Sequence, residues 1–202
     1  MAVLGLVISP ALSDATKAIM QTEIPAIIAA VKSSPGVKAV YAGPLVAEKG
    51  APATATKMVQ LIEFESVEAA AALRTNPPAA VEALKAKHDL PEPEVSNLFE
   101  LETAPSAADL QAVTSITVLS ISDASKSDEA RSTMGSLMGG SSEKKVFGGK
   151  SVKTPGQGVV IVSFGSREEI VAAESSPQAA AGKEAWAKYG TMENFLTTLQ
   201  AA

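Results

Sequence analysis

The stretch Val59-Gln60-Leu61-Ile62-Glu63-Phe64-Glu65-Ser66-Val67-Glu68 recurs one hundred positions later, without a gap, as Val159-Val160-Ile161-Val162-Ser163-Phe164-Gly165-Ser166-Arg167-Glu168. The correspondence continues from Asn76-Pro77-Pro78-Ala79-Ala80 onto Ser176-Pro177-Gln178-Ala179-Ala180. In each copy an apolar, β-branched run ends in Phe, a Ser stands where a helix begins, and a Pro opens a second helix. The chain reads as one supersecondary unit written twice, and such a duplicated unit closes on itself where a single copy would need a partner chain.

Working outward, residues 3–9 are rich in Val, Leu and Ile and read as a strand. Ser13 caps a helix whose apolar positions Met20, Ile24, Ile27, Ile28 and Val31 keep helical spacing, with a kink expected at Pro25. Pro35-Gly36 makes a turn, residues 37–46 a second strand broken at Gly43-Pro44, residues 50–56 a loop and residues 58–64 a third strand. A short helix from Ser66, another from Asn76-Pro77-Pro78 to about residue 90, and a strand over 95–101 complete a ferredoxin-like order. The second half follows suit: strand 116–122, helix 127–138, strands 144–153 and 158–164, a helix capped by Ser166 with Glu169 in capping-box register, helix 177–189 and strand 195–200. Val40-Tyr41-Ala42-Gly43 then falls on Val146-Phe147-Gly148-Gly149. Each four-stranded antiparallel sheet has one face that its own helices leave uncovered, and the two gain most by packing those faces together. The expected fold is therefore α+β: two ferredoxin-like repeats, 1–104 and 113–202, joined by a linker at 105–112 and packed as an intramolecular dimeric α+β barrel.

Composition narrows the function. With 202 residues, 46% of them hydrophobic, the chain buries a sizeable core, and a net charge of −5 argues against nucleic-acid phosphates or anionic membranes as partners. Lys144, Lys145, Lys150 and Lys153 form a local basic cluster that reads as a solvated strand edge, the alternative being an anion site. There is no Cys and a single His, so thiolate chemistry and a histidine-rich metal site are excluded; no metal or cofactor is expected. The apolar run at residues 3–8 follows Met1 without a basic residue and is cut by Pro10, far short of a signal core or membrane span, so a cytoplasmic protein is expected. Gly149-Lys150-Ser151 lacks the leading Gly of a phosphate-binding loop and lies in a strand.

Val40-Tyr41-Ala42-Gly43, Phe64-Glu65-Ser66-Val67-Glu68 and the helix opening at Asn76-Pro77 together resemble the stress-responsive A/B barrel proteins and plant olivetolic acid cyclase. The tandem layout is also similar to fungal relatives of the antibiotic-biosynthesis monooxygenases. The resemblance implies the barrel fold, and for the cyclase-like members two histidines acting in acid/base chemistry. Those positions are Gly5 and Ala79 here, and neither side chain moves a proton, so whether the chain is an enzyme stays open.

Candidate chemistry then falls to His88 at the end of the Pro77 helix and to Tyr41, with Glu63 or Gln60 as polar neighbours; the alternatives are a surface helix-end His and a core aromatic. A ligand slot between sheet and helix is expected in the first half, lined by Tyr41, Phe64, Leu73, Leu84, His88 and Phe99. In the second half Trp186 stands in the register of Ala86, one helical turn from Tyr189, and should fill the equivalent space or, on the alternative reading, contribute to ligand binding. Three functions are compatible with this sequence: binding of an apolar or aromatic small molecule, a cofactor-free enzyme of cyclase or monooxygenase type using a modified site, and a structural stress-response protein acting by assembly. Self-association is permitted but not required, since barrel closure consumes no partner.

Overall fold

A computed structural model describes residues 1–88, 92–110, 112–138 and 145–202. Its first half runs β1 (Ala2–Ile8), α1 (Asp14–Lys32), β2 (Val37–Glu48), a short β3 (Ala51–Pro52), β4 (Met58–Phe64), α2 (Val67–Thr75), α3 (Ala79–His88) and β5 (Val95–Leu101). The second runs β6 (Val113–Ile121), a single 3-10 turn at Ala124–Lys126, α4 (Ser127–Met138), β7 (Val146–Ser151), β8 (Gln157–Phe164), α5 (Arg167–Glu174), α6 (Pro177–Trp186), β9 (Gly190–Thr197) and a short β10 (Gln200–Ala201). Side-chain caps start the helices as their sequences require: the hydroxyls of Ser13, Ser66, Ser166 and Ser176 each accept from the backbone N–H three residues on. At α5 the box partner closes one residue further out, the Glu169 carboxylate accepting from Gly165 N–H at 3.2 Å.

Every strand pairing is antiparallel. The order is β2-β4-β1-β5 in the first half and β7-β8-β6-β9 in the second; β5 pairs β7, and β2 also pairs β9, so the sheet returns on itself. Strand alternation then divides the core in two. Leu4, Leu6, Ile8, Leu61, Phe99, Ile116, Ile161 and Phe195 point inward and form the central cluster. Val3, Val40, Ile62 and Phe64 point outward beneath α1 and α2, while Val162, Phe164, Leu119 and Trp186 lie on the outer side of the second half.

Two glycines close the seams between halves. A Cβ on Gly43 would lie 1.8 Å from the Thr198 carbonyl oxygen where β2 meets the C-terminal strands, and one on Gly149 would lie 2.7 Å from the Glu100 carbonyl oxygen where β7 meets β5. These are the glycines that end Val40-Tyr41-Ala42-Gly43 and Val146-Phe147-Gly148-Gly149, so each contributes the close backbone approach of its own seam.

The structure corrects several boundaries. Gly43-Pro44 does not break β2. The strand instead changes partner there, pairing β4 as far as Pro44 and β9 from Leu45, and the missing Pro44 N–H falls at the changeover while its carbonyl accepts from Thr197 Oγ1 at 2.9 Å. The last long strand begins at Gly190, not residue 195, because α6 ends at Trp186 and Tyr189 N–H turns back to the Trp186 carbonyl. The segment 105–110 is anchored to the fold. Leu110 is buried in the central cluster, and the Asp109 carboxylate holds Ser106 from both its N–H and its hydroxyl and pairs with Lys145. The predicted strand start at Lys144 and the helix end near residue 90 lie outside the described residues.

Candidate functional site

The outer face of the first-half sheet carries a groove of about 570 Å³. Its floor is Gly5 and Val7 of β1, Ile62 and Phe64 of β4, and the Ser96–Leu98 stretch of β5. Its walls are Val31 of α1, Val67, Ala70, Ala71 and Leu73 of α2, and Pro77, Pro78 and Val81 at the start of α3. Arg74, Thr75 and Lys153 stand among the lining residues as its polar members, with Ser96 and Asn97 on the floor. Such volume and composition lie within the usual range of small-molecule sites, roughly 300–1,000 Å³ with mainly apolar walls.

Local sequence explains why the space stays open. Gly5 leaves the floor low: a Cβ there would come 3.1 Å from the Phe64 ring. The Ala69-Ala70-Ala71-Ala72 run gives α2 little side-chain bulk towards the sheet. Asn76 terminates α2, and Pro77-Pro78, unable to continue it, turns the chain into α3, which packs on α1 rather than flat on the strands.

The predicted ligand-site residues are distributed over both faces of the sheet. Phe64 and Leu73 line the groove. Tyr41 and Phe99 belong to the inner cluster instead, because they stand on the opposite parity of their strands, so the sheet separates them from Phe64. Leu84 is buried, at 6% exposure, but is not part of the groove wall. His88 closes α3, and its side chain lies outside the described residues.

Tyr41 sits at one end of the barrel interior. Its hydroxyl donates to the Pro105 carbonyl at 3.3 Å, and burial, reinforced by the carboxylates of Glu63 and Asp109, pushes its phenol above the usual tyrosine range. A phenol kept neutral and committed to a backbone carbonyl holds the linker in place. Glu63 is largely covered and has Lys38 as its ion partner at 4.0 Å.

In the second half the same region is filled. Trp186 is 2% exposed, packs against Leu119, Ala130 and Tyr189, and donates its indole N–H to the Thr191 carbonyl at 3.2 Å. The Trp186 and Tyr189 rings lie 6.0 Å apart and tilted by 57°, and the Tyr189 hydroxyl donates to Glu129 at 2.8 Å. On the strands, Asn194 donates to Ser115 Oγ at 2.7 Å and to Thr117 Oγ1 at 3.0 Å, a polar ladder absent from the first-half floor.

Sequence reasoning missed Arg74 and Lys153. Lys153 belongs to the basic cluster seen in the sequence, but only the β5–β7 pairing carries the second half's turn to the first half's groove. The lining residues include no His, Asp, Glu, Tyr, Cys or Met. The described wall therefore supplies apolar surface, hydroxyls, an amide and two cations.

No family model and no curated protein matches the chain. Solved structures do. A putative monooxygenase from Fusobacterium nucleatum superposes with a TM-score of 0.66 at 8% identity, covering 98% of this chain and 92% of that one. An anthrone oxidase-like protein gives 0.66 at 12% identity over 100% and 91%, and a heme-binding protein from Thermus thermophilus gives 0.53 at 10% identity over 98% and 90%. At these identities the likeness shows the fold alone, that of the ferredoxin-like dimeric α+β barrel proteins.

Proposed function

We propose that this chain binds an apolar or aromatic small molecule in the first-half groove between sheet and helices, on a scaffold of two ferredoxin-like repeats spanning 1–104 and 113–202. The observation that carries the reading is the asymmetry of the halves: the groove under α2 and α3 is open and apolar, whereas Trp186 and Tyr189 pack the region beneath α6. Monooxygenase-like and heme-binding neighbours are consistent with a small-molecule role. Binding is favoured over catalysis because the wall is mainly apolar and holding a ligand requires only a cavity of this size.

Titration with a neutral aromatic probe such as 2-naphthalenemethanol tests the proposal. Binding should fall at least about tenfold in Leu73→Trp, since an indole placed on the wall occupies the space a ligand needs, and should be unchanged in Trp186→Phe. The opposite pattern would move the site to the second half.

A further inference from the structure

We propose that the ligand of this groove is an amphipathic anion, its apolar body lying on Ile62, Phe64 and Leu73 and its charged group held between Arg74 and Lys153. This rests on the binding reading above and adds the ligand's charge.

The two cations come from different halves. Arg74 occupies the last turn of α2, and Lys153 follows β7 of the second half. The turn that bears Lys153 is fixed to the groove floor: Val152 N–H donates to the Leu98 carbonyl at 2.9 Å, and Ser151 Oγ accepts from Lys153 and Thr154 N–H at 3.3 and 3.0 Å. Lys153 is thereby held beside β5, whose Ser96 and Leu98 form part of the floor.

What sets these two apart from the chain's other cations is their place in the groove lining. Lys38, Lys49, Lys57, Lys87, Lys145 and Lys150 all have a carboxylate partner within 4.0 Å. Among the described residues Arg74 and Lys153 have none, and no Asp or Glu lines the groove. In a chain of net charge −5, an acid-free apolar groove with two uncommitted cations is locally matched to an anion. A guanidinium and an ammonium together suit a carboxylate, sulfonate or phosphate, the first by a two-pronged hydrogen bond and the second as a point charge. The apolar floor then selects anions that carry an apolar body over simple inorganic ones.

The test compares 2-naphthoate, 2-naphthalenemethanol and 2-naphthylmethylamine, which share a ring system and differ in charge. The unaltered protein should bind 2-naphthoate about tenfold more tightly than the alcohol and the ammonium most weakly, with the gap narrowing in about 1 M salt as screening shortens to about 3 Å. Arg74→Ala with Lys153→Ala should bring 2-naphthoate to the level of the alcohol while leaving the alcohol unchanged; Lys150→Ala, whose ammonium pairs with Glu100, should change neither. Equal binding of acid and alcohol by the unaltered protein would overturn the charge assignment and leave the groove as an apolar site. Failure of all three probes to bind would overturn the groove reading itself, and the charge assignment with it.

Discussion

The outer faces of the two half-sheets occupy equivalent cross-strand positions and have been put to different uses. Val7 opposite Ser96 in the first half corresponds to Thr117 opposite Asn194 in the second, and Gly5 opposite Leu98 to Ser115 opposite Leu196. The first-half set is small or apolar, leaves a groove and has uncommitted cations at its edge. The second-half set is tied together by the Asn194 amide, and its helix layer is filled by an indole and a phenol that satisfy their own polar atoms at Thr191 and Glu129. The comparison separates the halves by packing: the second is filled with aromatics whose polar atoms are satisfied, and the first leaves open space beneath its helices.

The largest test of that division is Trp186→Ala, which should cost about 3–5 kcal/mol through lost burial and a residual cavity, whereas Leu73→Ala on the half-buried groove wall should cost only about 1–2 kcal/mol. Denaturant midpoints followed by circular dichroism would measure both; comparable losses would erase the distinction between a filled and an open half. A smaller effect is expected for Asn194→Leu, about 1 kcal/mol, because the hydroxyls of Ser115 and Thr117 lose a shared donor. An unchanged midpoint would mean the ladder does not help to hold the second half.

The smallest effect concerns the segment that joins the halves. Hydrogen bonds from Lys145 and Ser106 hold the Asp109 carboxyl at about 2, below its ordinary 3.8. A depressed carboxyl favours the folded state while ionised, so its contribution is fully present above about pH 4 and is lost as pH falls through about 2. Lys145 is well exposed, so solvent screening keeps the gain modest. Asp109→Asn should flatten the acid-induced drop in stability over that window and leave stability at pH 7 only slightly lower. An identical acid profile in the variant would show that the contact does not help to clasp the segment to the barrel.

Much of the layout was written locally. The Ser-capped helices, the strand at 58–64 and the strand at 95–101 were legible because caps, β-branched runs and Pro breaks act within a few residues. The continuity of β2 through Gly43-Pro44 was not, since it depends on a change of partner from β4 to β9, more than one hundred residues away. The same holds for the Leu110 segment, which looks like a polar connection until the barrel offers its end as a place to bury the leucine.

By itself the sequence determined the α+β class, much of the element order and the contrast between Ala86 and Trp186, all consequences of periodicity and side-chain volume. Only the tertiary structure decided which candidate residues share a space. Strand parity put Tyr41 and Phe99 inside the barrel, helix packing turned Leu84 away from the groove, and the β5–β7 seam brought Lys153 to it. The physical reason is that a side chain's face follows from local geometry, but its neighbours depend on which distant strand supplies the next hydrogen-bond ladder.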